Sequence, residues 1–321
     1  MTSHFDPLDT YFGIAKVKVL APRGLYHPVL PYRSNGKLKF PLCRTCADEE
    51  RLGRCDHSDD QRAFVGTWCT PELMKALDKG YELLEMYEVY DWTRSSQYDP
   101  RTREGGLFAH YVNTFLKIKQ EASGWPDWCK TDEDKAKYVR DYEEKEGIKL
   151  NPDNIKKNPG LRALAKLCLN SFWGKFGQRL NQGVSEFFHE SEVDKFYRTL
   201  TDKTKQVKDF RIINEEYLHL EYEHQSGFVP EDMKTNIFLA TFTTCWARLK
   251  LYDVLDQVGD RVLYYDTDSV IYVSRPGQFD PPLGDYLGER YICAIIKLSD
   301  FPCNIVTPSQ QRNFLSEKYG K

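Results

Sequence analysis

Residues 261–273, RVLYYDTDSVIYV, set two runs of β-forming residues around the tetrapeptide Asp266-Thr267-Asp268-Ser269. Val, Tyr and Ile favour extended backbone and the tetrapeptide carries turn chemistry, so the stretch predicts a hairpin with an acidic tip. Side chains repeat with period two along an extended chain, which aims the Asp266 and Asp268 carboxylates at the same side. Two carboxylates so placed suit a hard divalent cation such as Mg²⁺, an ion that can also bind substrate phosphates. Taken alone, the tetrapeptide also reads as a hydrogen-bonded Asx turn. The apolar flanks weigh toward the metal, since they imply a buried hairpin that pushes its tip into a cleft.

Upstream of the hairpin, IFLATFTTCWARLKLYDVL has the period of an amphipathic helix, with Leu239, Phe242, Trp246 and Leu249 on one stripe. Before it, residues 178–235 read as an irregular β-rich insertion. A further helix starts at Asn158-Pro159-Gly160 and runs through LRALAKLCLNSFW to Gly174, because Asn caps, Pro suits the first turn and Gly stops. On it Arg162, Lys166 and Asn170 are spaced by four along one face, while Leu161, Leu164, Cys168 and Phe172 line another. Residues 149–179 hold seven Lys or Arg against one Asp, a footprint for polyphosphate within a chain whose net charge is −3. A solvated face of an ordinary surface helix is the plainer reading of the same charges.

Residues 107–120 carry apolar side chains at helical spacing, and 124–160 read as a polar excursion between two helices. Residues 66–92 predict a strand–helix–strand unit, with Thr70, Pro71 and Glu72 opening the helix and Gly80 ending it. The first forty residues, rich in Pro-Arg-Gly and Ser-Asn-Gly turn signals, predict a short β-meander. The resulting fold class is α+β.

At 40% hydrophobic and 29% charged residues the composition is that of a globular chain, not a disordered one. No apolar run reaches membrane-spanning length and the N-terminus lacks a secretory pattern, so the expectation is an intracellular protein without a membrane partner. Nine cysteines then read as reduced thiols, core residues or metal ligands. Cys43-x-x-Cys46 and Cys55-x-His57 offer four soft ligands in two close pairs, which suits tetrahedral Zn²⁺. Reduced cysteines in an exposed loop are the alternative.

Tyr264-Tyr265-Asp-Thr-Asp-Ser resembles the metal-binding motif of family B DNA polymerases. Lys166-x-x-x-Asn170-Ser171-x-Trp173-Gly174 is similar to the fingers motif of the same family. The order of motifs agrees with the protein-primed branch from about residue 11 to residue 290. YFGIAKVKVLAPRGLYHPVLPY and YVNTFLKIKQEASGWP are most similar to polymerases of Polinton or Maverick transposons.

That resemblance implies nucleotidyl transfer to a primer. Asp266 and Asp268 would hold Mg²⁺. Lys166, Arg162 and, from the preceding helix, Lys119 would face the triphosphate of a dNTP; Lys119 reads equally as a plain surface residue. Asn170, Trp173 and Tyr264 would complete the nucleotide site. The family usually has Tyr where this chain has Trp173, which keeps a stacking face and loses the hydroxyl. The implied partners are a DNA template-primer and a terminal protein primer, with a nuclear location if the gene lies in a eukaryotic transposon.

The implied layout is a palm-associated region with a first insertion at 1–105, fingers at 106–177 and a second insertion at 178–235. Palm with the metal hairpin follows at 236–288, and then a divergent tail at 289–321. The family's other metal-binding Asp motif finds no match in residues 1–20, and neither an exonuclease domain nor a thumb is expected. The resemblance therefore implies a fragment, from a truncated gene model or a transposon relic, with the two-metal site incomplete. A non-catalytic nucleic-acid-binding relic is the rival function. An RNA polymerase or reverse transcriptase is disfavoured, because those carry a Tyr-x-Asp-Asp type of turn.

Overall fold

A computed structural model of the protein describes residues 5–96, 98–99, 101–229, 235–267, 269–281 and 294–297. Strand β1 (Gly13–Leu20) is the centre of the N-terminal sheet. Its inward set, Ala15, Val17 and Val19, alternates with Lys16 and Lys18, as a half-buried strand requires. The expected meander does not form after it. Pro22, Pro28 and Pro31 each remove a ladder donor from residues 21–31, and the chain next forms a small hairpin of β2 (Tyr32–Ser34) and β3 (Lys37–Lys39). Two short helices, α1 (Arg44–Asp48) and α2 (Asp59–Arg62), follow.

The strand–helix–strand unit is present as β4 (Phe64–Cys69), α3 (Thr70–Asp78) and β5 (Glu82–Asp91), with Cys69 rather than Thr70 as the helix cap. The two strands flank β1 in the order β4-β1-β5, each antiparallel to it. Two register shifts along the β1–β5 ladder change the parity of β5, which brings Leu83, Met86 and Val89 against the core at a spacing of three. At the start of β1 a Cβ on Gly13 would lie 1.7 Å from the Tyr90 carbonyl oxygen, so only glycine fits there.

Helix α4 (Ala109–Glu121) and α6 (Pro159–Phe176) pack side by side. Asn158 caps α6 as expected, its side chain accepting from the Leu161 amide. Between them the polar excursion contains a helix that the sequence reading lacked, α5 (Asp132–Glu146). Thr131 and Asp134 form a capping box at its start, and Gly147 ends it with φ of 71°. Only a thin stripe faces inward, Tyr138 and Tyr142 joining Cys129, Ile148, Leu150 and Ile155 in a small separate core.

Within the expected 178–235 insertion, residues 184–224 fold as β6 (Val184–His189), α7 (Val193–Leu200), β7 (Lys205–Ile212) and β8 (Tyr217–His224), with sheet order β6-β8-β7. Phe188, Phe196, Leu220 and Tyr222 make its own core. Helix α8 (Ile237–Val258) then leads into β9 (Val262–Asp266) and β10 (Ser269–Ser274), the predicted hairpin, which β11 (Ala294–Lys297) extends in parallel. No helix among the described residues is long and apolar enough to cross a membrane.

The main core lies where α8 meets both sheets. Leu251, Leu255 and Val258 of α8 pack with Val17 and Val19 of β1, Leu73 of α3, and Val270 and Tyr272 of the hairpin. The helix is also fixed by charge. Arg248 reaches Glu72 with two hydrogen bonds, Nε to Oε1 at 2.6 Å and the second guanidinium nitrogen to Oε2 at 3.1 Å, and Glu72 is 1% exposed. Burial pushes the Glu72 carboxyl up, and the Arg248 contacts oppose that shift. Arg248→Ala would strand this carboxylate without a partner, and is expected to lower unfolding free energy by about 3 kcal/mol. An Arg248→Met, Glu72→Met double variant is expected to recover most of that loss, both read from urea midpoints.

Candidate functional site

The cationic face forms where α4 ends beside the start of α6. Lys119 lies in the last turn of α4, and burial, followed by the charges of Arg162 and Lys166, holds its ammonium below the usual lysine range. The three cations are thus near enough to repel one another. Among the described residues no carboxylate comes within ion-pair reach of any of them.

Several contacts hold this uncompensated group in place. Arg162 Nε donates to Ser123 Oγ at 3.1 Å, and Ser123 Oγ donates to the Lys119 carbonyl at 2.8 Å. The Asn158 amide donates to the Ala122 carbonyl at 2.9 Å, joining the start of α6 to the end of α4. Buried Glu121 accepts from the Asn151 amide at 2.7 Å, which ties down the connecting loop. Further along, Phe172 stacks on Tyr111 at 4.4 Å, and the Tyr111 hydroxyl donates to the Cys168 carbonyl at 3.2 Å.

The packed face of α6 is narrower than its sequence suggests. Ala165 is buried and Cys168 and Phe172 are half-buried, but Leu161 and Leu164 remain exposed, at 43% and 56%. Among the described residues α4 and the start of α8 are the elements packed most closely on this helix, and most of its side chains face solvent. Asn170 is exposed, as is Trp173 at 42%. At the far end Ser171, Gly174, Lys175 and Arg179 face Glu223 and the 181–183 turn across an open groove of about 600 Å³.

The acidic tip is closed by the pairing of Asp266 with Ser269. Thr267 has φ of 49°, a conformation that a β-branched residue rarely adopts. The Asp266 carboxylate is exposed, accepts from the Thr267 hydroxyl at 3.0 Å and has no cationic side chain beside it among the described residues. Its donor chemistry therefore fits a hard cation. Asp268 lies outside the described residues, as does the 284–288 segment. Tyr264 is exposed on the outer face of β9, whereas Tyr265 packs against His27 at 5.7 Å between ring centroids. Buried Arg261 anchors the base of the hairpin, donating to the Val273 carbonyl at 3.2 Å and to Asp280 at 3.1 Å.

A second concavity was hidden from the sequence. Leu239, Phe242 and Trp246, the stripe expected on α8, line an open cleft of about 460 Å³ with Phe12, Trp92 and Arg94. The core-facing side of the helix is instead Ala240, Cys245, Leu251, Leu255 and Val258.

Residues 133–260 match the family model described as DNA polymerase type B, organellar and viral. A curated DNA polymerase of Kluyveromyces lactis is 26% identical over 146 residues, 44% of this chain and 13% of that relative's length. No solved structure matches. Over residues 133–260 the chain is similar to type B DNA polymerases of the organellar and viral kind, in agreement with the resemblance read from the motifs. The matched region contains α6 and α8 and ends just before the hairpin; Lys119 and the cysteine–histidine loop lie outside it.

The crowding of the three cations has a measurable consequence. Lys119→Met is expected to raise stability at low salt by on the order of 0.5 kcal/mol while weakening tripolyphosphate binding several-fold. Because the lowered pKa frees Lys119 of its proton sooner than an ordinary lysine, wild-type affinity should fall as pH rises toward the lysine range. Calorimetric titration with tripolyphosphate across pH checks both.

Proposed function

We propose that this chain is part of a template-directed DNA polymerase that adds deoxynucleotides to a primer, in a protein-primed mode of replication. The observation that carries the proposal is the Lys119, Arg162 and Lys166 group, held together where α4 ends beside α6 with no counter-charge among the described residues, α6 lying within the family match. Three fixed cations lower the free energy of a bound triphosphate and of the negative charge that grows on a departing pyrophosphate. In this reading the primer 3′-hydroxyl attacks the α-phosphate of a dNTP, and the bond to the β,γ-diphosphate breaks.

Lys166 and Arg162 hold the β- and γ-phosphates, with Lys119 beneath them. Trp173 offers an aromatic face to the nascent base pair, and Asn170 and Tyr264 border the nucleotide. Asp266, with Asp268, would hold Mg²⁺, which when bound supplies charge neutralisation at the phosphates. The exposure of Asp266 and its lack of a cationic partner support that assignment. Helices α4 and α6 act as fingers that close on the correct dNTP. Segments 1–105 and 178–235 serve as the insertions that meet template, duplex or terminal protein. The groove with Lys175 and Arg179 at its rim suits a DNA backbone.

Primer extension with the full chain tests the proposal. The expected result is template-dependent incorporation in Mg²⁺ or Mn²⁺, reduced at least about 100-fold by Asp266→Asn and by Lys166→Ala, as for loss of a group that stabilises transition-state charge. DNA binding with no incorporation would leave the non-catalytic relic as the correct reading.

A further inference from the structure

The loop between β3 and β4 is held by almost no hydrophobic packing. From residue 41 to residue 62 the buried apolar side chains are Cys43 and Ala47, while Leu52 stands fully exposed. Yet the chain turns sharply through two short helices and returns to the sheet. Small units that lack a core need another kind of fastener, most often a disulfide or a metal.

The cysteines of this loop are free thiols, and they converge with a histidine on one point. The Sγ atoms of Cys43, Cys46 and Cys55 lie 3.5, 3.3 and 3.6 Å from His57 Nδ1. The four donor atoms all fall within 4.8 Å of one another. A tetrahedral zinc with three sulfurs at about 2.3 Å and a nitrogen at about 2.0–2.1 Å has sulfur–nitrogen edges of about 3.5 Å. The observed separations match these edges.

The short gap between the two ligand pairs does not prevent closure. Cys43 caps helix α1, whose first turn carries Cys46 round, so the chain needs only residues 47–54 to come back with Cys55 and His57. The surroundings hold the ligands as a metal site requires. The Cys46 amide points at Cys43 Sγ at 3.4 Å, a donor that would stabilise a thiolate. Arg23 donates to the carbonyls of Cys55, at 3.4 Å, and His57, at 2.8 Å, fixing that pair against the sheet side of the loop.

We propose that Cys43, Cys46, Cys55 and His57 form a zinc site in this chain. All four ligands are protein atoms, so the site is closed and structural, with no position for water or substrate. It clips the 41–62 loop onto itself, and it is independent of nucleotide chemistry at α6.

Metal analysis of the full chain, purified under reducing conditions and dialysed against metal-free buffer, tests this. The expected result is one zinc per chain, retained in Cys168→Ser, lost in Cys46→Ser and lost in His57→Ala. A wild-type chain with much less than one zinc, or variants that keep theirs, would overturn the site. If the variants fail to fold, the wild-type chain loaded with cobalt decides. Intense visible bands of tetrahedral cobalt with thiolate charge transfer support the ligand set, and their absence rejects it. Limited proteolysis gives a second readout: chelation should open cleavage within residues 44–56 and leave the rest of the digest unchanged, whereas cleavage that ignores chelation contradicts a clip.

Discussion

Helix α8 is the part on which the rest of the arrangement depends, and the buried ion pair between Arg248 and Glu72 fixes it. A carboxylate at 1% exposure is tolerable only with a matched cation, and the planar guanidinium supplies two aligned donors. With that pair set, Leu251, Leu255 and Val258 fall into the core between the N-terminal sheet and the hairpin. At its other end α8 meets α6, where the Asn236 amide donates to the Phe176 carbonyl at 3.0 Å and Ala240 lies against Gly177. A larger residue at 177 would press on Ala240, since an added Cβ would stand 3.2 Å from it. One helix thus carries the hairpin at one end and touches the cationic helix at the other.

What local chemistry decides was legible in the sequence. The hairpin around Asp266, the Asn158 start of α6 and the strand–helix–strand unit all depend on turn and cap residues that act within a few positions. What depends on partners far along the chain was not. Glu72 and Arg248 are separated by 176 positions, and neither residue alone announces a buried pair. The β5 spacing of Leu83, Met86 and Val89 arises from two bulges against β1, and such bulges hide an ordinary strand alternation. Helix α5 was missed because only Tyr138 and Tyr142, one turn apart, are well buried; its capping box was the signal that could have revealed it.

The site residues divide in the same way. Spacing by four put Arg162 and Lys166 on one face, and that much is visible in any helical projection. The partnership with Lys119 needs α4 to lie beside α6, and Ser123, which links Lys119 and Arg162, had no mark in the sequence. The apolar residues misled in the other direction. Leu161 and Leu164 have the right period for a packed face, but periodicity cannot say whether a partner covers that face. Likewise Leu239, Phe242 and Trp246 form a true stripe, turned toward a cleft instead of the core.

Charge explains why so exposed a helix pair is built so carefully. The chain as a whole carries −3, so nothing global draws it to a polyanion, and attraction must be concentrated at fixed positions. Concentration has a thermodynamic cost: burial first, and then the neighbouring Arg162 and Lys166 charges, lower the proton affinity of Lys119. A surface evolved only for solubility would scatter these charges or pair them with carboxylates, as Lys75 and Lys79 are paired with Asp256 and Lys195 with Glu186. Instead the stacked Tyr111 and Phe172 rings, the Ser123 bridge and the Glu121 loop anchor keep α4 and α6 from separating under their own repulsion. Repulsion retained in the free chain would be relieved by a bound anion, so the strain in the unliganded helix pair is free energy that the proposed triphosphate binding would recover.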